Sequence, residues 1–128
     1  MSELPINRPI NTARPPMRRY ARAVVSLPVR YTLRDGSEGY QGEIINLGGG
    51  GLRLLSPLDL ARGEMITLHF LLPDTEREVV VRAKAVLSFY DASSSQYAHG
   101  VAFAQISIDD QKRIVRYVES IQHVNADM

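Results

Sequence analysis

The chain has no cysteine among its 128 residues, which removes disulfides and thiolate metal sites from consideration. It also lacks any run near the roughly 18 consecutive apolar residues that a membrane-spanning helix needs. The opening stretch, MSELPINRPINTARPP, holds no apolar block of the signal-peptide kind, so a cytoplasmic protein without membrane insertion is expected. A charge imbalance is nearly absent as well: net charge is +1, which gives no overall attraction for a polyanion. His69, His99 and His123 stand far apart without cysteine or acidic partners, so no metal site is expected.

What charge there is lies unevenly. Arg8, Arg14, Arg18, Arg19, Arg22, Arg30 and Arg34 crowd the first part of the chain, against Glu3 and Asp35. All are arginine rather than lysine, and a planar guanidinium can fork onto phosphate or a guanine edge and stack on a ring.

Residues 1–17 carry Pro5, Pro9, Pro15 and Pro16 with little apolar pattern and read as a flexible arm. From Ala23 to Leu33, AVVSLPVRYTL has strand composition, with Pro28 requiring an edge or a bulge. RDGSEG reads as a hairpin turn. YQGEIIN, LRLLS, MITLHFLLP, REVVVRAKAVLSFY and YAHGVAFAQI follow as strands, with PLDLARGE a short connection that has room for one helical turn. Short strands without intervening helices predict a small closed antiparallel barrel or sandwich. In SIDDQKRIVRYVESIQ the spacing of Ile114, Tyr117, Val118 and Ile121, with Ile108 ahead of them, predicts one C-terminal helix on the barrel. Ser107 and Asp110 form its capping pattern.

The stretch INLGGGGLRLL, Ile45 to Leu55, places four glycines before an alternating run. Glycine loses the most conformational freedom on folding, so four together imply a strained turn or a close approach. A nucleoside-triphosphatase loop would need lysine and a hydroxyl after the last glycine, where Leu52 and Arg53 stand. A dinucleotide fingerprint would need a helix there. Ser93, Ser94 and Ser95 sit in a turn that explains them without nucleophilic chemistry. No residue set demands catalysis, and a non-enzyme is expected. What remains is MRRYAR and the glycine run, read as one site: guanidinium planes for purine and phosphate, and bare amides forming a concavity for an anion.

In this order of features the chain resembles the PilZ family, bacterial domains many of which bind the second messenger cyclic di-GMP. Arg18 and Arg22, with Arg19 between, match the family's Arg-x-x-x-Arg. Asn46 and Gly51 match its Asp/Asn-x-Ser-x-x-Gly, with Gly48 at the serine position. GEMITLHFLLP, HGVAFAQIS and the terminal helix extend the likeness over roughly residues 17 to 122. The resemblance implies a six-stranded antiparallel β-barrel with a C-terminal α-helix: an arm over 1–17, a domain over 18–122 and a tail over 123–128. It implies cyclic di-GMP as ligand with no other cofactor, bound by Arg18, Arg19, Arg22, Asn46, Gly48, Gly49 and Gly51. The missing serine hydroxyl removes one hydrogen bond to a charged partner, about 1.5–3 kcal/mol, or roughly ten- to a hundredfold in affinity.

Two functions follow from the resemblance. One is a non-catalytic receptor whose arginine arm orders over the nucleotide and alters contacts with a downstream protein partner. The alternative, motivated by Gly48, is a degenerate interaction domain that does not bind the nucleotide. Nucleic acid is not expected as a partner, since the strands lack paired exposed aromatics for stacking, although Tyr20, Tyr31 and Tyr40 are present.

Overall fold

The computed structural model describes residues 20–33, 39–73 and 77–126. Six strands are seen among them: β1 Arg22–Leu33, β2 Tyr40–Gly48, β3 Gly51–Ser56, β4 Met65–Leu71, β5 Glu78–Asp91 and β6 Gln96–Gln105, followed by helix α1 Ile108–Ala126. The strands pair antiparallel in the order β1, β2, β3, β6, β5, β4, and β4 returns to β1 to close the barrel. The expected arm, the Arg18 and Arg19 positions, and the turn over 34–38 lie outside the described residues.

Period-two alternation sets which residues fill the barrel. Along β5, Val79, Val81, Ala83 and Ala85 are buried while the residues between them are exposed, and Ile66, Leu68 and Phe70 do the same on β4. Burying each large aliphatic side chain contributes about 1.5–3 kcal/mol relative to exposure. Helix α1 adds Ile114 and Val118 to the same core, with Tyr117 and Ile121 packed around them. Pro28 is accommodated as its chemistry requires: it pairs with Glu43 of β2 on one side, while pairing with β4 begins only at Arg30. The bulge comes earlier, between Val24 and Leu27.

A second irregularity falls between Ala85 and Leu87. Past it, Val86 and Leu87 are both exposed, although neighbours on a regular strand face opposite ways.

PLDLARGE forms no helical turn. Leu60 is buried, and Gly63 takes φ +88° with its N–H on Ala85 O at 2.6 Å. That left-handed backbone would break a helix and is open to glycine at no steric cost. The same connection is tied to the barrel by fully buried His99, whose Nε2 lies 2.9 Å from Leu58 O, and by Ser56 Oγ, which accepts the Leu58 N–H. Ser56 also shares a 2.5 Å hydrogen bond with Tyr31 Oη, and burial pushes the Tyr31 phenol up from its ordinary value.

Ser107 caps α1: its Oγ accepts the Asp110 N–H at 3.0 Å and its carbonyl the Gln111 N–H at 2.9 Å. Asp109 and Asp110 occupy the first turn, where the macrodipole favours carboxylates. A hydrogen bond from Arg77 holds the Asp109 carboxyl below its ordinary range. Ile108 departs from the expected apolar face. It is 72% exposed because it precedes Ile114 by six residues, which at 3.6 residues per turn puts it about 120° round the helix from the packed stripe. The helix also continues to Ala126, beyond the boundary expected at residue 122.

Ser107→Ala is expected to cost about 1 kcal/mol. Thermal unfolding followed by circular dichroism should show a fall in Tm of a few degrees.

Candidate functional site

Strand register brings residues distant in sequence onto one outer face. One cross-strand row runs Val24, Asn46, Arg53, Gly100, Leu87, and the next runs Arg22, Gly48, Gly51, Ala102, Lys84. The two rows run over five of the six strands, so at about 4.8 Å spacing they extend roughly 19 Å along the curved barrel surface. The ten positions of this face hold Arg22, Arg53 and Lys84 and no carboxylate. Arg53 stands at its centre, and around it Gly48 and Gly51 are buried against neighbouring backbone while Gly100 and Ala102 are half-exposed. Val86 and Leu87 form an apolar border beside Gly100, where a Cβ would lie 3.4 Å from Leu87 Cβ.

The two sequence motifs meet on this face. Arg22 pairs with Gly48, and its Nε donates to Asn46 Oδ1 at 2.5 Å. Gly48 is tightly covered: a Cβ would lie 2.8 Å from Ala21 O and 3.0 Å from Arg22 Cγ. A serine could not enter this position without a backbone shift.

The glycine turn is shaped by close approach rather than by left-handed backbone, since none of Gly48 to Gly51 has positive φ. A Cβ on Gly51 would meet Val101 O at 2.3 Å. One on Gly49 would meet both the Tyr20 ring and Val115 Cγ2 at 2.8 Å. Gly50 is different, its nearest neighbour being Tyr20 Cδ2 at 3.5 Å. Helix α1 grips both motif segments: Gln111 Nε2 donates to Gly49 O at 2.9 Å, and Gln122 Nε2 donates to Arg22 O at 2.8 Å.

The structure therefore brings together Arg22, Asn46, Gly48 and Gly51 on the outer face, with Gly49 turned toward Tyr20 and α1. To the motif residues the structure adds Arg53, Lys84, Gly100 and Leu87 on the same face. Alternation on β3 could have turned Arg53 outward between Leu52 and Leu54, but its partner Asn46 is set by an irregularity between Ile44 and Asn46 that the sequence does not announce. Among the described residues no group of three His, Cys, Asp or Glu is arranged to hold a metal, and no helix is long and apolar enough to cross a membrane.

The PilZ domain pattern matches residues 16–120. The chain belongs to the PilZ domain family. Among solved structures, this PilZ barrel is similar to the inhibitor of motility MotI/DgrA of Bacillus subtilis, at 24% identity and TM-score 0.75, covering 83% of this chain and 51% of that one. It also resembles the PilZ domain of YcgR from Escherichia coli with c-di-GMP, at 15% identity and TM-score 0.60, covering 86% of this chain and 97% of that one. MrkH of K. pneumonia in complex with c-di-GMP matches at 18% identity and TM-score 0.66, over 88% of this chain and 56% of that one. This PilZ chain thus spans about half the length of MotI/DgrA and MrkH. Among curated proteins, nothing matches.

The glycines of this PilZ domain should respond unequally to substitution. Gly51→Ala is expected to destabilise by about 2–3 kcal/mol through backbone overpacking, whereas Gly50→Ala should stay within about 0.5 kcal/mol. Urea unfolding of the two variants checks the difference.

Proposed function

We propose that this PilZ domain is a non-catalytic receptor for cyclic di-GMP, bound on the outer face between Arg22 and Leu87. The observation that carries the reading is the junction of the two motifs, with the Arg22 guanidinium seated on Asn46 and Arg22 paired with Gly48. Three cations without a carboxylate suit a ligand with two phosphates. Guanidinium planes at Arg22 and Arg53 can fork onto guanine O6 and N7 or stack on the base. Leu87 and Val86 offer apolar area to a ring, and the small residues in the middle let the ligand approach the sheet closely.

Arg18 and Arg19 complete the family motif and, in this reading, fold over the ligand from the arm. Gly49 acts through the turn it shapes. The serine hydroxyl missing at Gly48 is offset in part by Arg53, which stands opposite Asn46 on β3. Likeness to an inhibitor of motility supports motility control through a protein partner as the output.

Calorimetric titration of cyclic di-GMP into the full chain tests the reading, with GTP and cyclic di-AMP as controls. Saturable binding of the guanine dinucleotide alone is expected. Arg22→Ala and Arg53→Ala should each weaken it roughly tenfold or more, as for loss of a charged hydrogen bond. Equal affinity in both variants, or no binding by the unaltered chain at millimolar ligand, would sink it. The second outcome would favour the ligand-independent interaction domain, the reading to which the closed backbone at Gly48 also lends support.

A further inference from the structure

Beside the glycine turn, on the side away from the outer face, Tyr20 and helix α1 enclose an open groove of about 360 Å³. Its walls are Tyr20 on one side and Ile108, Lys112, Val115, Arg116 and Glu119 on the other. Its length from Ile108 to Glu119 is about three helical turns, roughly 16 Å. A smaller cleft of about 100 Å³ continues behind Tyr20 toward Val118.

Three features give this groove the chemistry of a docking site. Ile108 is a large aliphatic side chain left 72% exposed at its rim, where nothing in the core requires it. Tyr20 and Val115 supply a further apolar floor, pressed against Gly49. Lys112 and Arg116 stand one turn apart, exposed, and neither enters a salt bridge among the described residues, whereas Arg77 and Arg113 nearby pair with Asp109 and Asp110. Ile108 and Val115, two turns apart on α1, with Tyr20 across from them and Lys112 and Arg116 outnumbering Glu119, complement a helix with apolar residues at i, i+3, i+4 and i+7 and carboxylates alongside. A second copy of this groove would bring two further cations, Lys112 and Arg116, with only Glu119 from each copy to offset them, so it does not supply the carboxylates the groove lacks.

We infer that this groove docks an acidic amphipathic helix of a partner protein, and that nucleotide on the neighbouring face tunes the docking through Tyr20. The tuning rests on the receptor function proposed above; the docking does not. Tyr20 lies two residues before Arg22, which reaches Asn46 on the outer face, so a ligand that shifts Arg22 shifts a wall of the groove with it. Gln122 and Gln111, on the same helix, hold the Arg22 and Gly49 carbonyls and connect the two faces from below.

The test uses the full chain labelled with ¹⁵N and a synthetic amphipathic helix bearing leucine at the four anchor positions and glutamate on its flanks. A control peptide has lysine in place of each glutamate. Amide shifts at Tyr20, Lys112, Val115 and Arg116 are expected with the acidic peptide, with the lysine peptide weaker by roughly tenfold or more. The double variant Lys112→Glu, Arg116→Glu should reverse that preference. Equal binding of both peptides, shifts centred elsewhere, or methyl NOEs from Ile108 to residues 1–17 of the same chain would overturn the docking. Saturating cyclic di-GMP should change the peptide affinity by about fivefold or more. Unchanged affinity with nucleotide shown calorimetrically to be bound would overturn the tuning alone. Failure of the nucleotide to bind would remove the tuning together with the receptor reading, while the two-peptide comparison still decides the docking.

Discussion

Two stretches of backbone can approach within van der Waals contact only where no side chain stands between them, and the site is built on such approaches. At Gly51 the clearance from β6 is so small that a Cβ would sit 2.3 Å from Val101 O. That proximity lets β3 enter its pairing with β6 immediately after a two-residue turn and keeps the outer face flat where Gly51 meets Ala102. Gly48 does the same for the start of β1 and so brings Arg22 onto Asn46. Gly49 lets the Tyr20 ring and Val115 close on the opposite side of the turn. One short glycine segment therefore shapes the junction of the two motifs and, behind it, the seat of the helix.

Helix α1 couples these two sides. Its buried stripe, Ile114 and Val118, belongs to the barrel core, so the helix is fixed by packing rather than by its terminal cap alone. From that fixed position it hydrogen-bonds the carbonyls of Gly49 and Arg22, one in each motif segment. A ligand that repositions the arginine segment acts directly on groups the helix holds, with no long chain of intermediaries.

Much of the architecture was legible in the sequence because burial and period coincide. β4, and β5 as far as Ala85, alternate in step with burial, and the helix announces itself through Ile114, Val118 and the Ser107 cap. Arg22 and Asn46 were legible as a pair because the family motif names both. The role of the glycines was only half legible: their number demands a close approach, but sequence does not say from what, and three of the four are met by the chain's own atoms. The row from Val24 to Leu87 was not legible, because bulges between Val24 and Leu27 and between Ala85 and Leu87 reset which residues face one another. PLDLARGE read as possible helix because its composition permits one, whereas Gly63 and the ties at Leu58 and Ala85 decide otherwise.

The measurement that bears most directly on the central claim is a ¹⁵N chemical-shift map of the full chain titrated with cyclic di-GMP. Binding on the proposed face predicts saturable shifts at Arg22, Asn46, Arg53, Gly100 and Leu87, with Tyr20 moving through the shared turn. Shifts confined to another part of the barrel, or a spectrum unchanged at millimolar ligand, would contradict it.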